Sequence, residues 1–302
     1  MGKLLAFIRL GRPLFLGGGF ILYALGAMIA HWHGHAIDVA RYVLGQAAVT
    51  AFQLMTHYAN DYFDYEADRA NLTPTKWSGG SRVLAGGELP REVALIAALV
   101  LAGLGSVAAF AVGGGAYVLP SYALVLVLAW EYSAPPLRLC ATGWGELDTA
   151  IVVTGLVPWI GFYLQAPDLV GVETLALAIV PLALLQVAML LAIEFPDAAG
   201  DAATGKRTLV VRLGADRAAK LYVAITAAAY GWLPIACALG LPARVALAAA
   251  LPAPIAVWRI IRVAEHRDPR AYERLTFFAV FLLVATSAAT LVAFVTLRGR
   301  AG

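Results

Sequence analysis

The chain has 302 residues, 61% of them hydrophobic and only 14% charged, with a net charge of +3 and a mean hydropathy of +0.78. Soluble domains are about half apolar and a quarter charged, so a water-soluble globule is excluded and an integral membrane protein is implied. The small positive balance is what membrane topology produces, and it gives no reason to expect a nucleic-acid partner.

Apolar stretches of about 20 residues bounded by charges or turn residues fall near 13–30, 39–59, 92–112, 116–131, 147–166, 172–194, 217–239, 243–261 and 274–297. Ala, Leu and Gly dominate them and barrel-type alternation is absent, so the expectation is an all-α protein with nine transmembrane helices. The first stretch follows Arg9 and Arg12 and runs to His31-Trp32-His33 without a small-residue cleavage site, so it reads as a retained helix rather than a signal peptide. Gly17-Gly18-Gly19 inside it suits close helix packing, and Gly113-Gly114-Gly115 suits a tight turn. His31, His33 and His35 lack helical spacing and a carboxylate shell, and read as a solvated turn rather than a metal site.

The second stretch runs through His57, Tyr58 and Asn60 into Asp61, Asp64 and Asp68. The sixth ends in Glu194, Asp197 and Asp201. Both sets step by three and then four, which on a helix keeps three carboxylates within an arc of about 60°. Like charges on one face repel unless a divalent cation gathers them, and hard oxygen ligands suit Mg²⁺. Two such faces brought together would hold a diphosphate through bridging metals.

Basic residues follow each cluster: Lys76 and Arg82 around Ser78-Gly79-Gly80-Ser81, then Lys206, Arg207 and Arg212 around Gly205 and Thr208. They read as flexible lids reaching phosphate oxygens. The recurrence of helix, acids and basic loop points to a single domain over 1–302 made of two pseudo-repeated halves, about 1–131 and 132–302.

With the N-terminus inside, all of the 22 Lys and Arg residues except Arg41, Arg244, Arg298 and Arg300 fall in inner segments. The positive-inside rule then places the chain as a multi-pass protein of the inner, cytoplasmic membrane, N-terminus in and both acidic clusters facing the cytoplasm. Cys140 lies in an inner loop and Cys237 inside a helix, so they neither pair nor form a metal motif.

Several segments resemble the UbiA superfamily of membrane prenyltransferases. Asn60-Asp61-Tyr62-Phe63-Asp64-Tyr65-Glu66-Ala67-Asp68 is similar to its NDxxDxxxD motif, and Asp197-Ala198-Ala199-Gly200-Asp201 to its second DxxxD motif. Arg9 to Pro13 resembles the family's R-x-x-R-P segment, and Tyr132 to Leu139 its Y-S-x-P-P-x-R-L loop. Gly205-Lys206-Arg207-Thr208-Leu209 resembles the tract after the second motif.

The resemblance implies a ring of helices around a central cavity open sideways to lipid, capped by cytoplasmic loops. In that cavity Asp61, Asp64, Asp68, Asp197 and Asp201 would hold Mg²⁺ and a polyprenyl diphosphate, with Glu194 a further ligand or simply the helix end beside Pro196. Asn60, Arg12, Lys76, Arg82, Lys206 and Arg207 would lie along the substrate, and Arg138 would face the diphosphate or an acidic aromatic acceptor. Tyr58, Tyr62, Trp130 and Tyr132 would shield the allylic cation through their π faces.

The Gly-Lys-Arg-Thr-Leu tract with Val211-Arg212-Leu213-Gly214 looks closer to the 1,4-dihydroxy-2-naphthoate branch, which makes menaquinone precursors, than to the 4-hydroxybenzoate branch. Two departures stand out: Cys140 where many members carry Lys, and Glu194-Phe195-Pro196 where the naphthoate branch often has an Asn-rich lead. An ion-coupled transporter is the alternative class, since intramembrane acids in repeated halves also suit transport. A lipid-binding assembly factor would not need both clusters.

Overall fold

A computed structural model describes residues 2–297, all of them in helices or the connections between them. Arg298 and Arg300, expected on the outer face, lie outside the described residues.

Among the described residues, seven segments are long and apolar enough to cross a bilayer: Gly2–Trp32, Arg91–Val112, Gly145–Tyr163, Val172–Ala203, Ala215–Ala238, Ala243–Ile261 and Pro269–Thr296. Two of the nine expected spans miss that standard for opposite reasons. Val39–Phe63 is long enough at 25 residues but carries Gln46, Thr50, Gln53, Thr56, His57 and Asn60 among its apolar positions. Val118–Glu131 is apolar but has only 14 residues, short of the roughly 20 a straight span needs. Both pack in the same bundle.

The helices close into a ring. Leu16–Trp32 packs on Val157–Tyr163, Val39–Phe63 on Arg91–Val112, and Val172–Ala203 on Ala215–Ala238 and Tyr272–Thr296; the last of these returns to Leu16–Trp32. Arg91–Val112 turns Ile96, Leu99, Val100, Leu104, Val107 and Phe110 outward, a helical stripe of the kind that faces lipid. The polar positions of Val39–Phe63 find partners inside instead. Gln53 Nε2 donates to Phe15 O at 2.8 Å and the His57 ring bonds Gly11 O at 2.8 Å.

Two glycines set the tightest crossing. A Cβ on Gly26 would overlap the carbonyl oxygen of Pro158, and one on Gly161 the carbonyl oxygen of Tyr23. Backbone meets backbone there, which only glycine permits. Of the Gly17-Gly18-Gly19 run, Gly17 and Gly18 face open space and only Gly19 abuts a neighbour, Gln53. Gly113, Gly114 and Gly115 all have positive φ and form the expected turn.

Local rules misplace one helix end. Val172–Ala203 runs straight through Pro196, so Glu194, Asp197 and Asp201 sit within a 32-residue helix rather than at its end. The missing proline N–H is tolerated because neighbouring segments hold this stretch: Thr73 Oγ1 donates to Pro196 O at 2.8 Å and Asn71 Nδ2 to Asp197 Oδ1 at 2.7 Å.

Replacing Gly26 or Gly161 by Leu should lower unfolding stability by about 3 kcal/mol or abolish the folded protein, whereas Gly17→Ala should stay within about 0.5 kcal/mol of the parent; thermal melts in detergent separate the two outcomes.

Candidate active site

At one end of the ring the two acidic segments meet. Asp61 closes the Val39–Phe63 helix and Asp68 lies in the short helix Tyr65–Ala70 that follows. The i→i−4 bonds carry on across the junction, Asp64 N to Asn60 O at 2.8 Å and Asp68 N to Asp64 O at 2.9 Å. The three carboxylates nevertheless have separate surroundings.

Lys206 binds the clusters together. Its Nζ lies 3.0 Å from Asp64 Oδ2 and 3.1 Å from Asp201 Oδ1, with all three side chains about nine-tenths buried. Burial opposes the ammonium charge, but Asp64 and Asp201 outweigh it and hold Lys206 well above the ordinary lysine range. Asp64 also accepts from Asn60 Nδ2 at 2.8 Å, and Asn60 reaches Ser133 Oγ at 3.0 Å. The Cys140 thiol lies 3.7 Å from Asp64; burial pushes it above the usual thiol range, with the Asp64 charge adding to the effect.

The remaining acids are met by the 71–81 loop. Asp197 accepts from Asn71 Nδ2 and from Gly79 N at 3.1 Å. Asp61 accepts from the Ser81 amide at 3.2 Å and from its hydroxyl. Gly79 and Gly80 both have positive φ, and a Cβ on Gly80 would run into the Asp68 carboxylate. Burial, then the charges of Asp61, Asp64 and Asp197, push Asp68 up to about 8. The loop is tied to the last helix as well: Lys76 N donates to Glu273 Oε2 at 3.0 Å and Thr276 Oγ1 to Thr75 Oγ1 at 3.3 Å.

A cavity of about 280 Å³ starts at these carboxylates and runs into the ring. Asn60, Asp64, Asp68, Asp197, Asp201, Lys206, Arg12 and Tyr132 line it, while Leu22, Val49, Val153, Met189, Ile193 and Leu283 make its walls apolar.

The other expected site residues stand elsewhere. Asp61 is turned to Ser81 and does not border the cavity. Tyr58 donates to Phe7 O at 3.0 Å and pins the N-terminal helix. The Lys76 ammonium lies over the Trp77 ring, Arg82 donates to the Asp68 carbonyl oxygen, and Arg207 is exposed, its amide on Ala141 O. Arg138 is half-buried at positive φ, away from the cavity lining. Tyr62 lies under Arg91 and Trp130 against Phe63.

Glu194 borders the cavity but faces the Glu146 carboxyl and accepts from Val210 N at 3.3 Å. The histidines near the opposite end have three different contacts: His31 with His35 O, His33 with Thr174 and His35 with Asp168.

Asn71 and Asp148 belong to this region without having been read from the sequence, and Ser81 and Ser133 read there only as parts of a loop motif, with no role of their own. Each lies in a turn or a helix start where such residues are common, so only the distant partner reveals the role.

The chain matches the UbiA prenyltransferase family over residues 20–294. It belongs to that family. Among its relatives is a 1,4-dihydroxy-2-naphthoate octaprenyltransferase from Bacillus subtilis, 26% identical over 77% of this chain and 73% of the relative. A digeranylgeranylglyceryl phosphate synthase from Pyrococcus furiosus is 30% identical over 75% of this chain and 76% of its own. A UbiA homologue from Archaeoglobus fulgidus bound to GPP and Mg²⁺ shares the fold, with a TM-score of 0.67 at 16% identity over 95% of this chain and 99% of that one. This UbiA-family chain is thus a multi-pass membrane prenyltransferase that transfers isoprenyl chains.

Lys206→Met removes the shared cation and leaves Asp64 and Asp201 buried without it. Stability in detergent should fall by about 3 kcal/mol, and a melt unchanged from the parent would contradict the bridge.

Proposed function

We propose that the chain transfers a polyprenyl group from its diphosphate to an aromatic acceptor in lipoquinone synthesis, with 1,4-dihydroxy-2-naphthoate the preferred acceptor. The observation that carries the reading is the cavity itself: oxygen ligands and cations at one end and apolar walls beyond, the same division as a prenyl diphosphate. The Bacillus relative supports the naphthoate choice. The Pyrococcus relative favours a second reading, transfer to the hydroxyl of a glyceryl phosphate.

The donor set suits Mg²⁺. No three His, Cys, Asp or Glu side chains converge as a ready-made cage among the described residues, but Mg²⁺ commonly takes one or two carboxylates and completes its shell with phosphate oxygens and water. Asp64 and Asp201 already share one cation, the Lys206 ammonium. Asp64, Asp68, Asp197 and Asp201, with Asp61 beside them, would hold the metal, which when bound neutralises charge gathering on the diphosphate as the allylic C–O bond breaks. Lys206 and Arg12 are assigned to the diphosphate oxygens, and Asn60 fixes the Asp64 carboxylate. Tyr132 is the one expected aromatic on the cavity wall and is assigned to the allylic cation. The distribution of Lys and Arg supports a cytoplasmic site in the inner membrane.

Purified protein in lipid, given one labelled polyprenyl diphosphate and either 1,4-dihydroxy-2-naphthoate, 4-hydroxybenzoate or a monoprenylated glyceryl phosphate, should form product with the naphthoate and lose it on chelation. Product from the glyceryl phosphate alone would replace the aromatic reading with the second. Asp64→Asn and Asp197→Asn should each lower turnover at least about 100-fold while the protein stays monodisperse.

The elevated Asp68 carboxyl gives a pH signature. Its ligating form is present above about 8 and is lost as pH falls through that value, so calorimetric Mg²⁺ affinity should weaken from pH 8.5 to 6.5 with release of a proton on binding. An affinity independent of pH would remove Asp68 from the metal set.

A further inference from the structure

Asp61, Asp64, Asp197 and Asp201 each accept from a donor on a neighbouring segment. Asp148 does not. It stands in the first turn of the Gly145–Tyr163 helix, beside Thr149, Val152 and Val153 on the cavity wall. It is 6% exposed, and its Oδ1 is fully buried without a partner. Among the described residues no hydroxyl, amide or basic side chain donates to either of its oxygens. Glu146, two residues earlier, is engaged elsewhere, with Leu209 N at 3.2 Å and with Glu194.

A buried carboxyl without a donor is unfavourable, and native proteins retain one where a ligand supplies what is missing. Three more unpartnered buried atoms, Trp77 Nε1, Gln186 Oε1 and Ser287 Oγ, belong to side chains of the same cavity. The cavity is therefore built for a ligand with hydrogen-bonding groups as well as for a hydrocarbon tail. An isoprenoid chain offers no donor, and a diphosphate offers only acceptor oxygens. Of two substrates in a prenyl transfer, only the acceptor brings a donor, its hydroxyl group.

We propose that Asp148 is the acceptor-binding base: its carboxylate receives the hydrogen bond of the acceptor's hydroxyl and takes that proton during transfer. The inference rests on the transferase reading and applies to either acceptor class.

With an alcohol, the O–C1 bond to the prenyl group forms while the C1–O bond to diphosphate breaks. The electron pair leaves on the diphosphate, and the hydroxyl proton goes to Asp148. With a phenol, the proton goes to Asp148, the ring carbon forms the bond to C1, and the same C1–O bond breaks. The resulting dienone then loses its ring proton to the departed diphosphate, or loses CO₂ where the attacked carbon bears a carboxylate, and the phenol oxygen recovers its proton from Asp148.

The test compares the parent chain with Asp148→Asn and Asp148→Glu in lipid with Mg²⁺, one labelled polyprenyl diphosphate and each of 1,4-dihydroxy-2-naphthoate, 4-hydroxybenzoate and a monoprenylated glyceryl phosphate. Asp148→Asn should lower kcat/KM for the acceptor at least about 100-fold, flatten its dependence on pH, and leave diphosphate affinity measured without acceptor within about threefold. Its melting temperature should be no lower than the parent's, because the buried carboxyl it replaces has no hydrogen-bond partner to lose. Asp148→Glu, which keeps the carboxylate, should recover about tenfold or more of the loss.

Parent-like kinetics in Asp148→Asn would overturn the assignment alone. A parallel loss of diphosphate binding and stability would overturn it in favour of a structural role. A parent that transfers to none of the hydroxylated acceptors would overturn the proposed acceptor reading and the assignment together. If Asp148→Asn yields no folded protein, Asp148→Glu decides: acceptor KM must change while diphosphate affinity does not, and an unchanged KM refutes the role.

Discussion

The acidic end of the bundle depends on one ammonium group. Lys206 shares its charge between Asp64 and Asp201, carboxylates on separate helices that would repel each other in a medium far less polarisable than water. With that pair bridged, Asp197 and Asp61 take neutral donors, which the 71–81 loop supplies through Asn71, Gly79 and Ser81. The loop folds down because its own amides and hydroxyls are what Asp197 and Asp61 lack. It acts as a plate of donors more than as a basic lid.

Much of this plan is legible in the sequence because it obeys local periodicity. The three-and-four spacing of Asp61, Asp64 and Asp68, and of Glu194, Asp197 and Asp201, follows from helical geometry and marks the segments that do meet. Hydropathy likewise finds the bundle, including Val39–Phe63 and Val118–Glu131, which depart from a simple span in polarity and in length yet pack with the others. What stays hidden is direction. Lys206 and Asp64 are 142 residues apart, and Asn71 and Asp197 are 126 apart, so no window along the chain contains both partners. Basic residues are found by type yet not by aim: Arg12 and Lys206 turn inward, while Lys76 settles on Trp77 and Arg82 on a backbone carbonyl. Pro196 signals a stop that contacts from Thr73 and Asn71 override.

Relatives named for two different acceptors match this chain almost equally, at 26% and 30% identity. Overall likeness therefore does not choose between the two acceptors. A site that leaves a buried polar atom unpaired with the wrong acceptor discriminates far more strongly than shared aliphatic contacts can.

The ties from Lys76 to Glu273 and from Thr75 to Thr276 join the donor plate to the helix whose Val280 and Leu283 form part of the tail wall. If the cavity takes a prenyl diphosphate as proposed, one helix touches both ends of that substrate, so a substitution at Val280 or Leu283 that displaces Tyr272–Thr296 reaches, through Thr75 and Lys76, the loop whose amides face Asp197 and Asp61.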